Sequence, residues 1–327
     1  MSTTHGHAQY VACLPKPWRQ QARAEPESTW WRWRDASIHI ARVRNPAARV
    51  RMVILHGGGG HADALWPLAA LAAALGYEVL MPDLPGYGRS EFPDLGRVRY
   101  QDWVDCVSEL LRAETADDPR PLVLAGASMG GMLAYAAAAR TGVVSHLLVT
   151  CLLDPADAVT WPALNRWGGA TTLRLLRPLL RRVGPRLGRW RVPLRWLVPM
   201  DKIANQPELA RLCLTDPRGG GGRIALGFLS SYLFSELERP PEAFQAPPVT
   251  LVHPGDDRWT PPAMSLGFFG RIAAPTRYVL LENAGHFPVE DPGLQTLVNV
   301  MAEIHGVLAH PELLPSAPRG CGVASKA

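Results

Sequence analysis

Pro121-Leu122-Val123-Leu124-Ala125-Gly126-Ala127-Ser128-Met129-Gly130-Gly131 decides the fold of this chain. A short apolar run stops at Gly126, and small helix-forming residues follow from Met129 to Arg140. That pattern predicts a buried strand, a sharp turn and a helix, with a serine in the turn. The small residues on either side let strand and helix approach closely, so the Ser128 hydroxyl is held outward in strained backbone geometry. Taken alone, Gly-x-Ser-x-Gly is also an ordinary glycine-rich connection, and the residues around it must choose.

Upstream, Trp30 to Arg44 reads as paired strands around Asp35-Ala36. Arg49 to Leu55 is a β-branched run ending in His56-Gly57-Gly58-Gly59-Gly60. A helix over Ala64 to Leu75 closes at Gly76, and Tyr77 to Met81 is the next strand. Gln101 to Ala113 carries Trp103, Val104, Val107, Leu110 and Leu111 at helical spacing. Downstream, Ser145 to Leu152, Pro248 to His253 and Thr276 to Glu282 read as strands, and Leu294 to Leu308 as a final helix. Strands alternating with helices predict an α/β fold with a mostly parallel sheet and helices on both faces.

The alternation breaks at Asp154 and resumes at Pro248, with a helical, Leu-, Trp- and Arg-rich stretch between. This predicts an N-terminal arm over 1–28, extended in character, a core over 29–153 and 246–310, a helical cap over 154–245, and a mobile C-terminal tail over 311–327. Within the cap, Pro178 and Pro185 are expected to interrupt any long helix, and Gly219 to Gly222 to form a flexible lid loop.

A serine nucleophile needs a base, and the base needs a carboxylate to hold its tautomer. His286, in Asn283-Ala284-Gly285-His286-Phe287-Pro288, follows a predicted strand and precedes the last helix, where the sheet projects its loops. Asp257 follows the strand ending at His253, with Asp256 beside it and Asp154 after the preceding strand as alternatives. The order Ser, Asp, His is the one associated with this kind of strand–turn–helix nucleophile. Two backbone N–H groups must meet the developing oxyanion, and Gly58 and Met129 are positioned for it. His56 is expected to brace that loop, and Trp161, Trp167 and Trp259 to line an acyl pocket or pack the core.

On these motifs, together with Asp83-Leu84-Pro85-Gly86-Tyr87-Gly88-Arg89-Ser90, the chain resembles the α/β-hydrolase superfamily, in its lipase and esterase branch with an inserted cap. The resemblance runs from about Trp30 to Leu308, excluding the cap. Pro254 departs from it, standing where many relatives have glycine, which leaves the choice of aspartate open. The resemblance implies hydrolysis of a carboxylic ester through an acyl-enzyme on Ser128, with a small apolar acyl ester as substrate and no cofactor. An acyltransferase, a thioesterase or a carbon–carbon hydrolase would use the same triad, and a non-catalytic small-molecule receptor would use the same fold.

Rival motifs leave more unexplained. Gly57-x-Gly59-x-x-Ala62 with Asp83 fits a dinucleotide fingerprint but ignores Ser128, Asp257 and His286. No lysine lies between Lys16 and Lys202, which excludes a phosphate loop in that span, and no cysteine cluster or His-Glu-x-x-His suggests a metal. The net charge of +5 rests on arginine, since only three of the 34 basic residues are lysines, and it does not argue for nucleic acid. Eight arginines from Arg174 to Arg195 interleave with Leu, Val and Trp. That stretch predicts either a solvated face or peripheral contact with an anionic membrane. Five scattered cysteines and no apolar run near 20 residues predict a cytoplasmic protein without a membrane span.

Overall fold

The computed structural model describes residues 6–164, 166, 170–310 and 312. Trp167 and, but for Glu312, the expected tail lie outside these residues.

The chain opens with two short helices, α1 (His7–Val11) and α2 (Lys16–Gln21), where an extended arm was expected. The extended reading fails because Tyr10, Leu14 and Trp18 are buried beside Trp66, so the segment folds onto the core. Each such side chain contributes roughly 2 kcal/mol by leaving water. Two antiparallel strands follow, β1 (Glu27–Trp33) and β2 (Ala36–Val43), turning through Arg34 at φ 54°. Then come β3 (Arg51–Leu55), α3 (Ala62–Ala74), β4 (Glu78–Pro82), α4 (Tyr100–Thr115), β5 (Leu122–Gly126), α5 (Met129–Thr141) and β6 (His146–Val149).

In the chain, an insertion separates β6 from the strand that is its next neighbour in the sheet. It holds a 3-10 turn (Ala158–Leu164), α6 (Ala170–Leu187), β7 (Arg191–Pro193), α7 (Leu194–Leu197), α8 (Pro207–Thr215), β8 (Arg223–Ala225) and α9 (Leu226–Leu233), with β7 and β8 antiparallel. The chain returns through β9 (Val249–Pro254), α10 (Ala263–Phe269), β10 (Thr276–Leu281) and α11 (Gly293–Ala309).

The sheet has eight strands in the order β1-β2-β4-β3-β5-β6-β9-β10. From β4 onward every pairing is parallel, and β1 and β2 form an antiparallel edge. Strand β5 is buried throughout: Leu122 and Leu124 face one core with α4 and α5, and Val123 and Ala125 the other with α3 and α11. A strand covered on both faces has no polar side to alternate, which is why it reads as a continuous apolar run.

Helix α6 runs through Pro178 and Pro185, against the expected interruption. Pro178 is exposed, so the carbonyl it orphans can be hydrated, and Pro185 sits in the last turn. The Gly219–Gly222 loop is not a loose lid. Gly219 and Gly220 are buried, and a Cβ on Gly219 would lie 2.5 Å from the Gly59 carbonyl oxygen.

Candidate active site

Ser128 ends the turn between β5 and α5 with φ 56° and ψ −129°, a conformation that costs a non-glycine residue roughly 1–3 kcal/mol. Close packing enforces it. A Cβ on Gly126 would lie 2.2 Å from the Gly130 carbonyl oxygen, and one on Gly131 would lie 2.0 Å from that of Cys151. The Ser128 amide donates to Thr150 Oγ1 at 3.1 Å, tying the turn to the end of β6.

Gly57 and Gly58 lie against this turn. A Cβ on Gly57 would stand 2.8 Å from Ser128 Cβ and 3.0 Å from the Met129 amide nitrogen. His56 holds that loop. The Leu84 amide donates to His56 Nε2 at 2.9 Å, so Nδ1 carries the proton and donates to the Gly57 carbonyl at 2.8 Å. Burial lowers the His56 pKa to about 4, which keeps the ring neutral in this bridging role.

His286 and Asp257 meet across the loops after β10 and β9, with Nδ1 and Oδ2 2.8 Å apart and both side chains buried. Of the three candidate carboxylates only Asp257 reaches the ring: Asp256 is exposed, and Asp154 accepts from the Ala156 amide. Asp257 Oδ1 accepts from the amides of Trp259 and Thr260, each at 2.8 Å, while the Thr260 hydroxyl donates to Oδ2 at 2.7 Å. Burial pushes the carboxyl up, but His286 and these donors outweigh it, and the pKa falls to about 2. With Nδ1 engaged by the carboxylate, His286 Nε2 is left buried with no hydrogen-bond partner.

Ser128 lies where two apolar pockets meet. One is lined by His286, Phe287, Leu65, Leu68, Ile203 and Cys213; the other by Met129, Leu153, Leu194, Ile224, Leu229 and Trp259. Gly58 and Ser128 belong to both. Trp259 is a pocket wall and packs 4.8 Å from the His286 ring, whereas Trp161 donates to the Pro155 carbonyl beneath Arg177.

Three supporting residues escaped the sequence. Thr260 was readable in hindsight, because Asp followed by Thr three residues on is the spacing of a local side-chain-to-backbone turn. Glu290, which accepts from the Gly285 amide at 3.0 Å and steadies the His286 loop, left no local signal. Thr150 needs the sheet to be assembled before it can be seen. Asp83, the acid of the dinucleotide alternative, is fully engaged: it accepts from the Ala62 and Arg89 amides and pairs with His39 at 2.8 Å. Among the described residues no group of three or more His, Cys, Asp or Glu could hold a metal ion, and no helix is long and apolar enough to cross a membrane.

An eight-stranded, mostly parallel sheet with a serine on the strand–helix turn at its centre is the α/β-hydrolase arrangement. Residues 52–296 match the alpha/beta hydrolase family, and the chain belongs to it. It is 30% identical over 126 residues to protein phosphatase methylesterase 1 of Mus musculus, which is 38% of this chain and 32% of that one. It is 34% identical over 89 residues to a thermostable monoacylglycerol lipase of Bacillus sp. (strain H-257), covering 26% and 33%. The chain thus matches about a third of the length of these relatives. In three dimensions it is similar to a soluble variant of monoglyceride lipase from Saccharomyces cerevisiae, with a TM-score of 0.69, 17% identity and coverage of 88% and 97%.

Proposed function

We propose that the protein hydrolyses a neutral carboxylic ester through an acyl-enzyme on Ser128. The observation that carries this reading is the disposition of His286. Asp257 occupies its Nδ1, its Nε2 is buried without a partner, and its ring lines the same pocket as Ser128. Nε2 is then the acceptor for the serine proton, with Asp257 stabilising the imidazolium that forms. In this reading the Gly58 and Met129 amides receive the oxyanion, and losing such a donor raises the barrier by roughly 3–4 kcal/mol.

Proton geometry assigns the two pockets in this reading. The leaving alkoxide must take its proton from His286, so the pocket that His286 lines receives the alcohol. The pocket of Met129, Leu153, Ile224 and Leu229 then receives the acyl group. Both walls are apolar, which favours an uncharged substrate at either end. The mouse and Bacillus relatives, a methylesterase and a monoacylglycerol lipase, are both named as ester-cleaving enzymes. We read residues 154–245 as the cap over this site. A cytoplasmic setting is supported by four free, buried cysteines.

The test is hydrolysis of p-nitrophenyl acetate, butyrate and octanoate by wild type and Ser128→Ala, with fluorophosphonate labelling in parallel. Activity and labelling are expected to disappear together. A folded wild type that neither labels nor turns over any ester would sink the proposal and leave a ligand-binding receptor in its place.

A further inference from the structure

Between Asp157 and Asp201 the chain carries nine arginines and not one acidic residue. Among the described residues Arg166 pairs with Asp201 and Arg189 with Asp94. Arg177 lies over the Trp161 ring and donates to the Leu233 carbonyl. Arg174, Arg181 and Arg195 are exposed and make no ion pair among the described residues.

The same segment exposes apolar surface. Leu175 is 76% exposed, Leu179 56% and Trp190 64%. Leu175 and Leu179 stand one turn apart on α6, and so share a flank of that helix. At 100° per residue Arg174 and Arg181 fall about 100–160° round the helix from them, so an apolar row and a cationic row border the exposed side of α6. Two neighbouring leucines, each more than half exposed, make an apolar row that a solvated helix does not need. Its inner side rests on α9, which supplies Leu229 and Tyr232 to the candidate acyl pocket.

We infer that this face of the insertion docks on an anionic lipid surface. Leu175 and Leu179 enter the headgroup region, while Arg174 and Arg181 lie along it and meet lipid phosphates. Apolar side chains on the outside gain nothing from a soluble polyanion, whereas a bilayer offers both the negative charge and a place to bury them. Binding of this kind is peripheral and salt-sensitive, and it places the outer side of the pocket-lining layer against the membrane.

Co-flotation of the full chain with phosphatidylcholine vesicles, with and without phosphatidylglycerol, tests this without reference to turnover. Wild type is expected to float with the anionic vesicles at low salt and to be released by high salt. An Arg174→Gln/Arg181→Gln variant loses about fivefold per charge, on the order of 25-fold in all. A Leu175→Ser/Leu179→Ser variant is weakened as well, although its thermal unfolding midpoint is that of wild type. The inference is overturned by no flotation, by equal flotation with neutral vesicles, or by arginine or leucine variants that bind like wild type. Displacement from the vesicles by a short DNA duplex at equal phosphate would assign the face to nucleic acid and overturn it too.

Discussion

Asp257→Asn replaces one carboxylate oxygen with NH₂ and should abolish most of the proposed activity, for a reason set by the loop around it. Oδ1 of Asp257 accepts two backbone N–H groups, from Trp259 and Thr260. An amide nitrogen there would face two donors, so asparagine must keep its oxygen at that position and present its NH₂ where Oδ2 now lies. That NH₂ then donates to His286 Nδ1, 2.8 Å away in wild type, and to the Thr260 hydroxyl. The ring is forced into the tautomer with its proton on Nε2, which can no longer accept one from Ser128. The equivalent change in a serine-protease triad costs about 10⁴-fold in kcat, roughly 5.5 kcal/mol of barrier, with the geometry intact. Steady-state hydrolysis of p-nitrophenyl butyrate measures the loss, and a thermal melt within a few degrees of wild type shows that the fold survives. Asp256→Asn, at an exposed side chain, is the control and should stay within twofold. If Asp257→Asn retained more than a tenth of the wild-type kcat, His286 would not be acting as a base oriented by Asp257.

Gly131→Ala places a Cβ 2.0 Å from the Cys151 carbonyl oxygen, so α5 must move off β6; we expect about 1–3 kcal/mol of lost stability in urea melts and a lower kcat as Ser128 shifts. Asp216→Ala removes a fully buried carboxylate from between Tyr10, His61 and Arg218, leaving charge unpaired and costing about 3–5 kcal/mol by the same measurement. Because the folded pKa of Asp257 is depressed to about 2, the unfolded chain binds more protons in that range. Its contribution of about 2 kcal/mol is therefore complete above about pH 4 and lost as pH falls toward 2. Denaturation midpoints of Asp257→Asn and wild type should converge across that window, and parallel curves would contradict the shift.

The central strands and the two helices flanking Ser128 were legible because burial on both faces leaves an unbroken apolar run, and glycines mark where it turns. Strand β5 begins at Leu122 and α5 at Met129, as the residues around Ser128 imply. The N-terminal helices were hidden because α1 and α2 are five and six residues long, too short to show a period. Their order comes from contacts with α3 that no local pattern announces. Prolines misled in α6, where solvent stands in for the lost hydrogen bond. Glycines misled at 219–222, where what looked like freedom is close approach to Gly59. Asp257 and Asp256 are neighbours of one type, and only burial separates them.

Asp216 also bears on how the molecule is assembled. Its carboxylate joins Tyr10, His61 and Arg218, and Arg218 in turn reaches Asp63, so the first helix, the glycine loop beside Ser128 and the insertion share one anchor. The Tyr10 phenol and its acceptor are 206 residues apart in sequence. On a ribosome the opening segment therefore waits, its buried face unmatched, until well over half of the chain has emerged. Contacts of such span are closed late, since the intervening loop entropy must be overcome first. Removal of the segment that carries Tyr10 is thus felt at the loop beside Ser128 and at the seat of the insertion, far from where it was made.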